Sequence, residues 1–371
     1  MELNWIEVAG YRCYRSLRLE PHSGVNLLVG ENGSGKTSLL EAIGYLASLA
    51  SFRRSPDASL IGAGFDEAVL RGEFLTGGRT LRVEVELRAG GRRRVLMNGK
   101  RPASRSEVVA AVPLVAFLPD DLDLVKRGPV YRREYLDDFT ARLWPGAAGE
   151  QGEYERALRQ RNALLRTEGR RAERKTLEAW NDRLAHLGAA VIRRRLDLME
   201  RLGPVLTGLY GELAEKPEVL RLGYQSPALG DLVGDVEIGE ITNRLGAALD
   251  EAGALDMERR VTTVGPHRDE MVVDLGDRDV RTRASQGEQR TVALGLRVAS
   301  YQMLREMNGD TPVLVLDDVF SELDPQRSRR LVERLPEGQV FISTARVEEV
   351  PWRGARWEVA GGMVEAAGAA I

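Results

Sequence analysis

The chain has 371 residues, 43% hydrophobic and 29% charged, with a formal net charge of −3. That is the balance of a globular protein of about two domains, and it excludes a disordered chain. No apolar run approaches the ~20 residues a membrane helix needs, and a lone Cys13 excludes an internal disulfide or a Cys-x-x-Cys metal site.

His22, His186 and His267 stand too far apart for ligand spacing. The opening Met1-Glu2-Leu3-Asn4-Trp5 has an acid and no basic region, so no secretory signal is expected and the cytoplasm is the expected compartment. A net charge of −3 leaves nucleic-acid contact to local clusters. The basic residues are nearly all arginine, which suits bidentate phosphate contacts. A GC-rich genome produces the same bias.

Residues 3–8, 16–19 and 25–29 read as strands. The third runs into Gly30-Glu31-Asn32-Gly33-Ser34-Gly35-Lys36-Thr37, and an amphipathic helix follows over residues 38–49, from Ser38. Strand, glycine, four residues, glycine, lysine, threonine, helix is the phosphate-binding loop pattern. Its glycines let successive N–H groups converge on a phosphate at a helix N-terminus. Lys36 is then placed for the β- and γ-phosphates, and the Thr37 hydroxyl for Mg²⁺.

Residues 68–74 and 81–87 alternate apolar and polar side chains, as half-buried strands do. Gly90-Gly91 and Asn98-Gly99 mark turns, so an antiparallel β subdomain is expected. Its distal end carries Arg88, Arg92, Arg93, Arg94, Lys100, Arg101 and Arg105 with no acid among them. The cluster is either a solvated hairpin tip or a phosphate-tracking patch, with Arg92, Arg93, Arg94, Lys100 and Arg101 as candidate DNA contacts.

After an apolar strand near Val115-Ala116-Phe117, strand signals nearly vanish from Asp120 to about Val261. Residues 128–143, with Pro129 in the first turn, 154–166 and 176–202 read as helices. Leu184, Leu187, Val191, Leu198 and Leu202 form a packing stripe that Arg193-Arg194-Arg195 interrupts. Pro204 and Pro217 are expected to break the run, before a Gly-rich segment at 230–239 and a last helix to Glu251. A second basic cluster, Arg170, Arg171, Arg174 and Lys175 with Arg193, Arg194 and Arg195, is diluted by Glu168, Glu173 and Glu178.

Residues 271–275 read as a strand again. Ser285-Gln286-Gly287-Glu288 opens a long helix with a capping box, serine at the cap and glutamate three residues on. Val313-Leu314-Val315-Leu316 is a buried strand ending in Asp317-Asp318, followed by Ser321-Glu322-Leu323-Asp324 and a strand over 340–344. Acids at the end of such a strand are where a P-loop enzyme holds its metal: Asp317 for Mg²⁺, Asp318 for the attacking water. The expected fold is therefore an α/β P-loop ATPase head, a mixed sheet with an antiparallel β subdomain, formed by 1–119 and 262–371. An all-helical arm is inserted at 120–261.

Ser285-Gln286-Gly287-Glu288-Gln289 resembles the signature of ABC-type ATPases, and Ser321-Glu322-Leu323-Asp324 resembles their D-loop. That resemblance implies a dimer sandwiching two ATP molecules, with Ser285 and its helix N-terminus on the γ-phosphate held by the other subunit. More narrowly, the chain resembles the RecF family of recombination mediators along nearly its whole length. The residues are Gly10-Tyr11-Arg12-Cys13-Tyr14-Arg15, the glycine loop, Phe117-Leu118-Pro119-Asp120-Asp121-Leu122, Gly128-Pro129, Arg132-Arg133-Glu134-Tyr135-Leu136-Asp137, Val264-Gly265-Pro266-His267-Arg268-Asp269, and the signature. By position, Arg12 is either a nucleotide contact or a salt-bridged arginine. No chemical role follows for His267.

Three departures from the ABC pattern point to slow hydrolysis. The first glutamine is Gln151, so the usual Q-loop glutamine is missing, with Asp120 or Asp121 as substitute. Asp318 stands where many relatives have glutamate, and Thr344 where the switch histidine is usual. A transporter ATPase subunit would hold loop and signature far closer together, and another SMC-like head would need long coiled coils. The RecF resemblance implies a clamp using ATP and Mg²⁺, dimerising on ATP, with weak DNA-stimulated ATPase activity. It implies binding at single-strand/double-strand junctions and cooperation with RecR and RecO, promoting RecA loading where SSB covers a gap.

Overall fold

The computed structural model describes residues 1–171, 173–214, 218–231, 236–335 and 337–369. β1 (Glu2–Tyr11) and β2 (Tyr14–Leu19) form a hairpin, and the wholly buried β3 (Val25–Val29) enters the glycine loop. α1 (Lys36–Ser48) begins after Gly35, whose φ of 118° is open only to glycine at little cost. β4 (Glu67–Thr76) and β5 (Arg79–Arg88) alternate buried and exposed side chains, and β6 (Arg94–Met97) pairs with β5. α2 (Arg105–Ala111), capped by Ser104, leads to β7 (Leu114–Phe117).

The helices α3 (Leu122–Lys126), α4 (Pro129–Leu143), α5 (Ala147–Glu168) and α6 (Arg174–Leu213) follow. Pro204 was expected to end the longest of these, yet α6 runs through it. The residue before a proline resists helix because its Cβ meets the ring, and here that residue is Gly203, which has none. Buried Leu202, Leu206, Leu209 and Tyr210 carry the packing across the break. Pro217 lies outside the described residues.

β8 (Leu220–Ser226) and β9 (Gly230–Asp231) interrupt what was expected to be an all-helical arm, and then come α7 (Ile238–Glu251) and α8 (Gly253–Arg259). The rest of the chain is β10 (Glu270–Leu275), β11 (Arg278–Asp279), α9 (Val280–Arg283), α10 (Gln286–Asn308), β12 (Val313–Asp317), α11 (Pro325–Arg334), β13 (Val340–Thr344), β14 (Ala355–Ala360) and β15 (Met363–Ala369).

Among the described residues three sheets form, in the orders β2-β1-β4-β5-β6, β15-β14-β3-β13-β12-β7 and β11-β10-β8-β9. The first and third are antiparallel; the second is parallel apart from the β14–β15 pair. The chain divides into two compact units, one of residues 1–121 with the chain from Leu296 onward, the other Leu122–Gly295. In the first, Ile6, Val8, Val85, Leu40, Ile43, Val315 and Phe341 share one apolar core, so α1 is held between the antiparallel and parallel sheets.

The second boundary falls inside α10, not at 262. The cause is β10: it pairs antiparallel with β8, from Glu270↔Gln225 to Leu275↔Leu220. A strand's alternation marks which face it buries, but not which sheet it joins.

Candidate functional site

Strand order builds the site in the first unit. β3, β13 and β12 are neighbours and parallel, with Thr344 level with Val29 and Asp317 level with Ser343. Their carboxyl ends share one edge of the sheet, where open α/β folds bind ligands. The glycine loop leaves β3 there, and Gly30 N–H donates to the Thr344 carbonyl at 3.4 Å. A Cβ on Gly30 would lie 2.3 Å from the Val359 carbonyl oxygen, so only glycine fits at this turn. Tyr14 Oη donates to the Gly35 carbonyl at 3.0 Å and pins the loop's other end.

Within the loop, Glu31, Asn32 and Gly33 are exposed, and the buried Ser34 Oγ has no hydrogen-bond partner. Lys36 Nζ donates to the carbonyls of Gly30 at 2.6 Å and Glu31 at 2.8 Å. Burial lowers the Lys36 pKa, against the raising charges of Asp318 and Asp317. Thr37 Oγ1 donates to Asp317 Oδ1 at 2.8 Å, and Ser343 Oγ donates to the same oxygen at 2.7 Å. Ser38, the next residue of α1, is half-buried. Asp317 is buried, and desolvation raises its pKa against the hydrogen bonds of Ser343 and Thr37 and the charge of Arg53.

A hydroxyl and a carboxylate meeting at one point make an oxygen site of the kind Mg²⁺ takes, completed by phosphates and water. Among the described residues no group of three or more His, Cys, Asp or Glu side chains could hold a metal alone. The Thr37 hydroxyl and the Asp317 carboxylate are oxygen donors that fit a hard divalent cation.

Asp318 follows in the left-handed region at φ 51°, sparsely used by residues other than glycine. Its N–H donates to Ser343 Oγ at 2.9 Å and its carbonyl accepts from Ser321 Oγ at 2.8 Å. The sharp turn separates the two acids: Asp317 faces Thr37, while Asp318 is half-buried. Ser343, which holds both, carried no signal in the sequence beyond its place at a strand end. Thr344 is used locally, its Oγ1 donating to the Arg346 carbonyl at 2.8 Å. Of the two acids offered for the absent glutamine, Asp121 accepts from Arg297 at 2.6 Å, and Asp120 is exposed.

Arg12 is an ion pair in this structure. Its Nε donates to Glu41 Oε2 at 2.8 Å, Nη2 to Glu41 Oε1 at 3.0 Å and to Ser55 Oγ at 2.8 Å, and Nη1 to the Ser59 carbonyl at 3.1 Å.

The signature lies in the second unit. Ser285 N–H donates to Glu288 Oε2 at 2.6 Å, and Glu288 N–H donates to Ser285 Oγ at 3.3 Å, a reciprocal capping box. Arg278 also donates to Glu288 at 3.0 Å, and hydrogen bonds from Arg278 and the Ser285 backbone pull the Glu288 pKa down to about 2. Ser285 and Gln286 are exposed and Gly287 is half-buried, so the helix start is open to a ligand; Gln289 is buried, holding the carbonyls of Val280 and Arg281 at 3.0 Å each.

The arginine clusters need correction. Arg93 is part of the fold: Nη1 donates to Tyr45 Oη at 3.1 Å and to the Leu49 carbonyl, with Asp57 at 3.5 Å. Arg94 pairs with Glu86 at 3.4 Å, and Arg88 with Glu86 at 3.4 Å and Glu67 at 3.7 Å. Glu86 lies on the strand next to Arg94 and two residues before Arg88, Glu67 is on the strand beside Arg88, and Asp57 comes from far along the chain. Arg92, Lys100 and Arg101 are exposed.

In the second unit Arg193 pairs with Asp197, Arg194 pairs with Glu150, and Arg195 is buried on Asp137 and the Pro266 carbonyl. The Gly265-Pro266-His267-Arg268-Asp269 stretch belongs to this buried network. His267 Nδ1 lies 2.6 Å from Tyr154 Oη and Nε2 3.1 Å from the Thr262 carbonyl, and burial lowers its pKa to about 4. Both ring nitrogens are thus used within the second unit.

Residues 2–352 match the family model described as RecF/RecN/SMC N terminal domain. The DNA replication and repair protein RecF of Acidothermus cellulolyticus is 39% identical over 352 residues, covering 94% of this chain and 95% of the relative. That of Streptomyces avermitilis is 40% identical over 375 residues, covering 98% and 100%. The chain belongs to the RecF family.

The solved structure of the recombination mediator protein RecF-ATPrS in the RecFOR pathway has a TM-score of 0.91 and 30% identity to this RecF-family chain, covering 99% of it and 98% of that chain. The Smc head bound to the C-winged helix domain of ScpA, with a TM-score of 0.55 at 17% identity over 99% and 97% of the two chains, shares the fold. The architecture is thus that of the ABC-type ATPase head common to RecF and SMC proteins. Among the described residues no helix is long and apolar enough to cross a membrane.

Proposed function

We propose that this RecF-family protein is an ATP-gated DNA clamp with slow Mg²⁺-dependent ATP hydrolysis, working in the cytoplasm. The observation that carries the reading is the 2.8 Å contact between Thr37 and Asp317, which joins the end of the glycine loop to the end of the acidic strand. In this reading Thr37 and Asp317 would hold Mg²⁺ alongside the nucleotide, and the ion would supply charge neutralisation at the terminal phosphate. Lys36 exchanges its two loop carbonyls for phosphate oxygens. Asp318 orients the attacking water, and with a carboxylate one methylene shorter than glutamate and no histidine at Thr344, turnover is slow.

The first unit, residues 1–121 with the chain from Leu296, serves as the head. Ser285, with Gln286, Gly287 and Glu288, meets the γ-phosphate bound by a second copy, so ATP closes a dimer. Closure brings two copies of a basic surface to one DNA, with Arg92, Lys100 and Arg101, and Arg94 in part, as its contacts. The clamp binds single-strand/double-strand junctions, engages RecR with RecO, and promotes RecA loading where SSB covers a gap. The names of the relatives, with DNA repair and the RecFOR pathway in them, support this.

Calorimetric titration of Lys36→Met tests the site. Removing the cation that offsets phosphate repulsion is expected to abolish ATP binding; normal ATP affinity in the variant would remove the assignment.

A further inference from the structure

Ser343 stands at the end of β13, the middle one of the three parallel strands whose carboxyl ends form the site, and it is 1% exposed. On one side this strand end meets the glycine loop, where the Thr344 carbonyl takes the Gly30 N–H. On the other it meets β12, with Ser343 level with Asp317. A serine hydroxyl has one proton to give and lone pairs to receive with. Here the proton goes to Asp317 Oδ1 at 2.7 Å, and the oxygen accepts the Asp318 N–H at 2.9 Å. One buried atom therefore grips the side chain of the first acid and the backbone of the second.

The two bonds do different things. Asp317 keeps a further partner when Ser343 is removed, because Thr37 Oγ1 donates to the same oxygen at 2.8 Å. The Asp318 N–H is spent on Ser343, and Asp318 sits at φ 51°, a conformation that residues other than glycine keep only where their surroundings impose it. Ser321 Oγ holds the Asp318 carbonyl from within the same turn, at 2.8 Å, whereas Ser343 ties the turn from a separate strand, 25 residues along the chain. The direction in which the Asp318 side chain leaves the backbone follows from that φ, so the aim of its carboxylate depends on the tie.

We propose that Ser343 is a positioning residue for ATP hydrolysis: its hydroxyl holds Asp318 in the left-handed turn and so aims the carboxylate, while nucleotide binding is left to the glycine loop, Lys36 and Thr37. Ser343 touches no ligand and acts through Asp318. The inference rests on the nucleotide reading of the loop and on the role given to Asp318 above.

The test compares the full chain with Ser343→Ala and Ser343→Thr, threonine keeping the hydroxyl and suiting a strand. Without nucleotide, Ser343→Ala is expected to speed amide hydrogen exchange over residues 317–322 about tenfold, the order set by loss of one buried hydrogen bond. At saturating Mg-ATP its phosphate release is expected to fall about tenfold, while the ATP dissociation constant by calorimetry moves less than about threefold. Ser343→Thr is expected to match the parent in all three. Unchanged exchange or parental turnover in Ser343→Ala, an affinity loss as large as the turnover loss, or a threonine variant as slow as the alanine one would overturn the proposal. Should Ser343→Ala fail to fold, Ser343→Cys carries the test, since a thiol keeps the shape with only a weak donor and acceptor. Slowed turnover with ATP affinity kept supports the proposal there, and parental turnover overturns it. Normal ATP binding by Lys36→Met would instead remove the nucleotide reading, and retained turnover in Asp318→Asn the role of Asp318, each taking this inference with it.

Discussion

Replacing Arg195 by methionine keeps a long side chain but removes the charge on which the second unit's buried network turns. Arg195 is 2% exposed, and its guanidinium donates to both oxygens of Asp137, at 2.8 and 2.9 Å, to the Pro266 carbonyl at 2.7 Å and to Tyr224 Oη at 3.2 Å. The variant leaves Asp137 buried without a countercharge and the carbonyl without a donor. Breaking a buried pair by removing one partner costs about 3–5 kcal/mol. With a urea slope of ~2 kcal/mol per molar, the unfolding midpoint of this unit is expected to fall by about 2 M. Burial already raises the Asp137 pKa, opposed chiefly by Arg195. Without Arg195 it rises further, and an acid raised in the folded state contributes stability below its unfolded pKa and loses it as pH rises. The deficit is therefore expected to shrink as pH falls toward the ordinary carboxylate range. Urea melts followed by circular dichroism at several pH values measure both effects. A loss below ~1 kcal/mol, the scale of an exposed ion pair, would show that Arg195 is a surface cation after all and return Arg193-Arg194-Arg195 to the candidate DNA contacts.

Asp318→Asn is expected to bind ATP normally and release no phosphate in a steady-state assay, because Asp317 and Thr37 are untouched; retained turnover would move the water-orienting role elsewhere. Ser285→Arg is expected to bind ATP yet remain monomeric with it in sedimentation runs, since a bulky cation fills the docking position of the partner's phosphate. Alanine at Arg92, Lys100 and Arg101 together is expected to flatten the dependence of log affinity on log salt by up to ~0.9 for each DNA phosphate no longer neutralised. Arg93→Ala is expected instead to lower thermal stability, its donors being spent on Tyr45, Leu49 and Asp57. The His267 imidazole, depressed by burial to about 4, is expected to titrate near that value by NMR, contributing stability above its ordinary range of ~6.5 and losing it as pH falls toward 4.

Some features were legible residue by residue because their causes are local. Glycine spacing between an apolar strand and a helix announces the loop, serine followed by glutamate announces the capped start of α10, and an apolar run ending in two aspartates announces β12. Each depends on bonds within a few residues. Partner choice is different in kind, because it is decided by what lies across a sheet or inside a unit. Residues 271–275 read as a strand, but only its pairing with β8 placed it in the second unit. No acid stands between Arg88 and Arg105 in the chain, yet Glu67 reaches Arg88, Glu86 reaches Arg94 and Asp57 reaches Arg93 in space. Pro204 has a helix breaker's chemistry, overridden by a preceding glycine and a buried stripe on both sides. Glu41 had no motif at all. Its pairing depends on complete burial beside one guanidinium and one hydroxyl, and burial is a property of packing among segments distant in the chain.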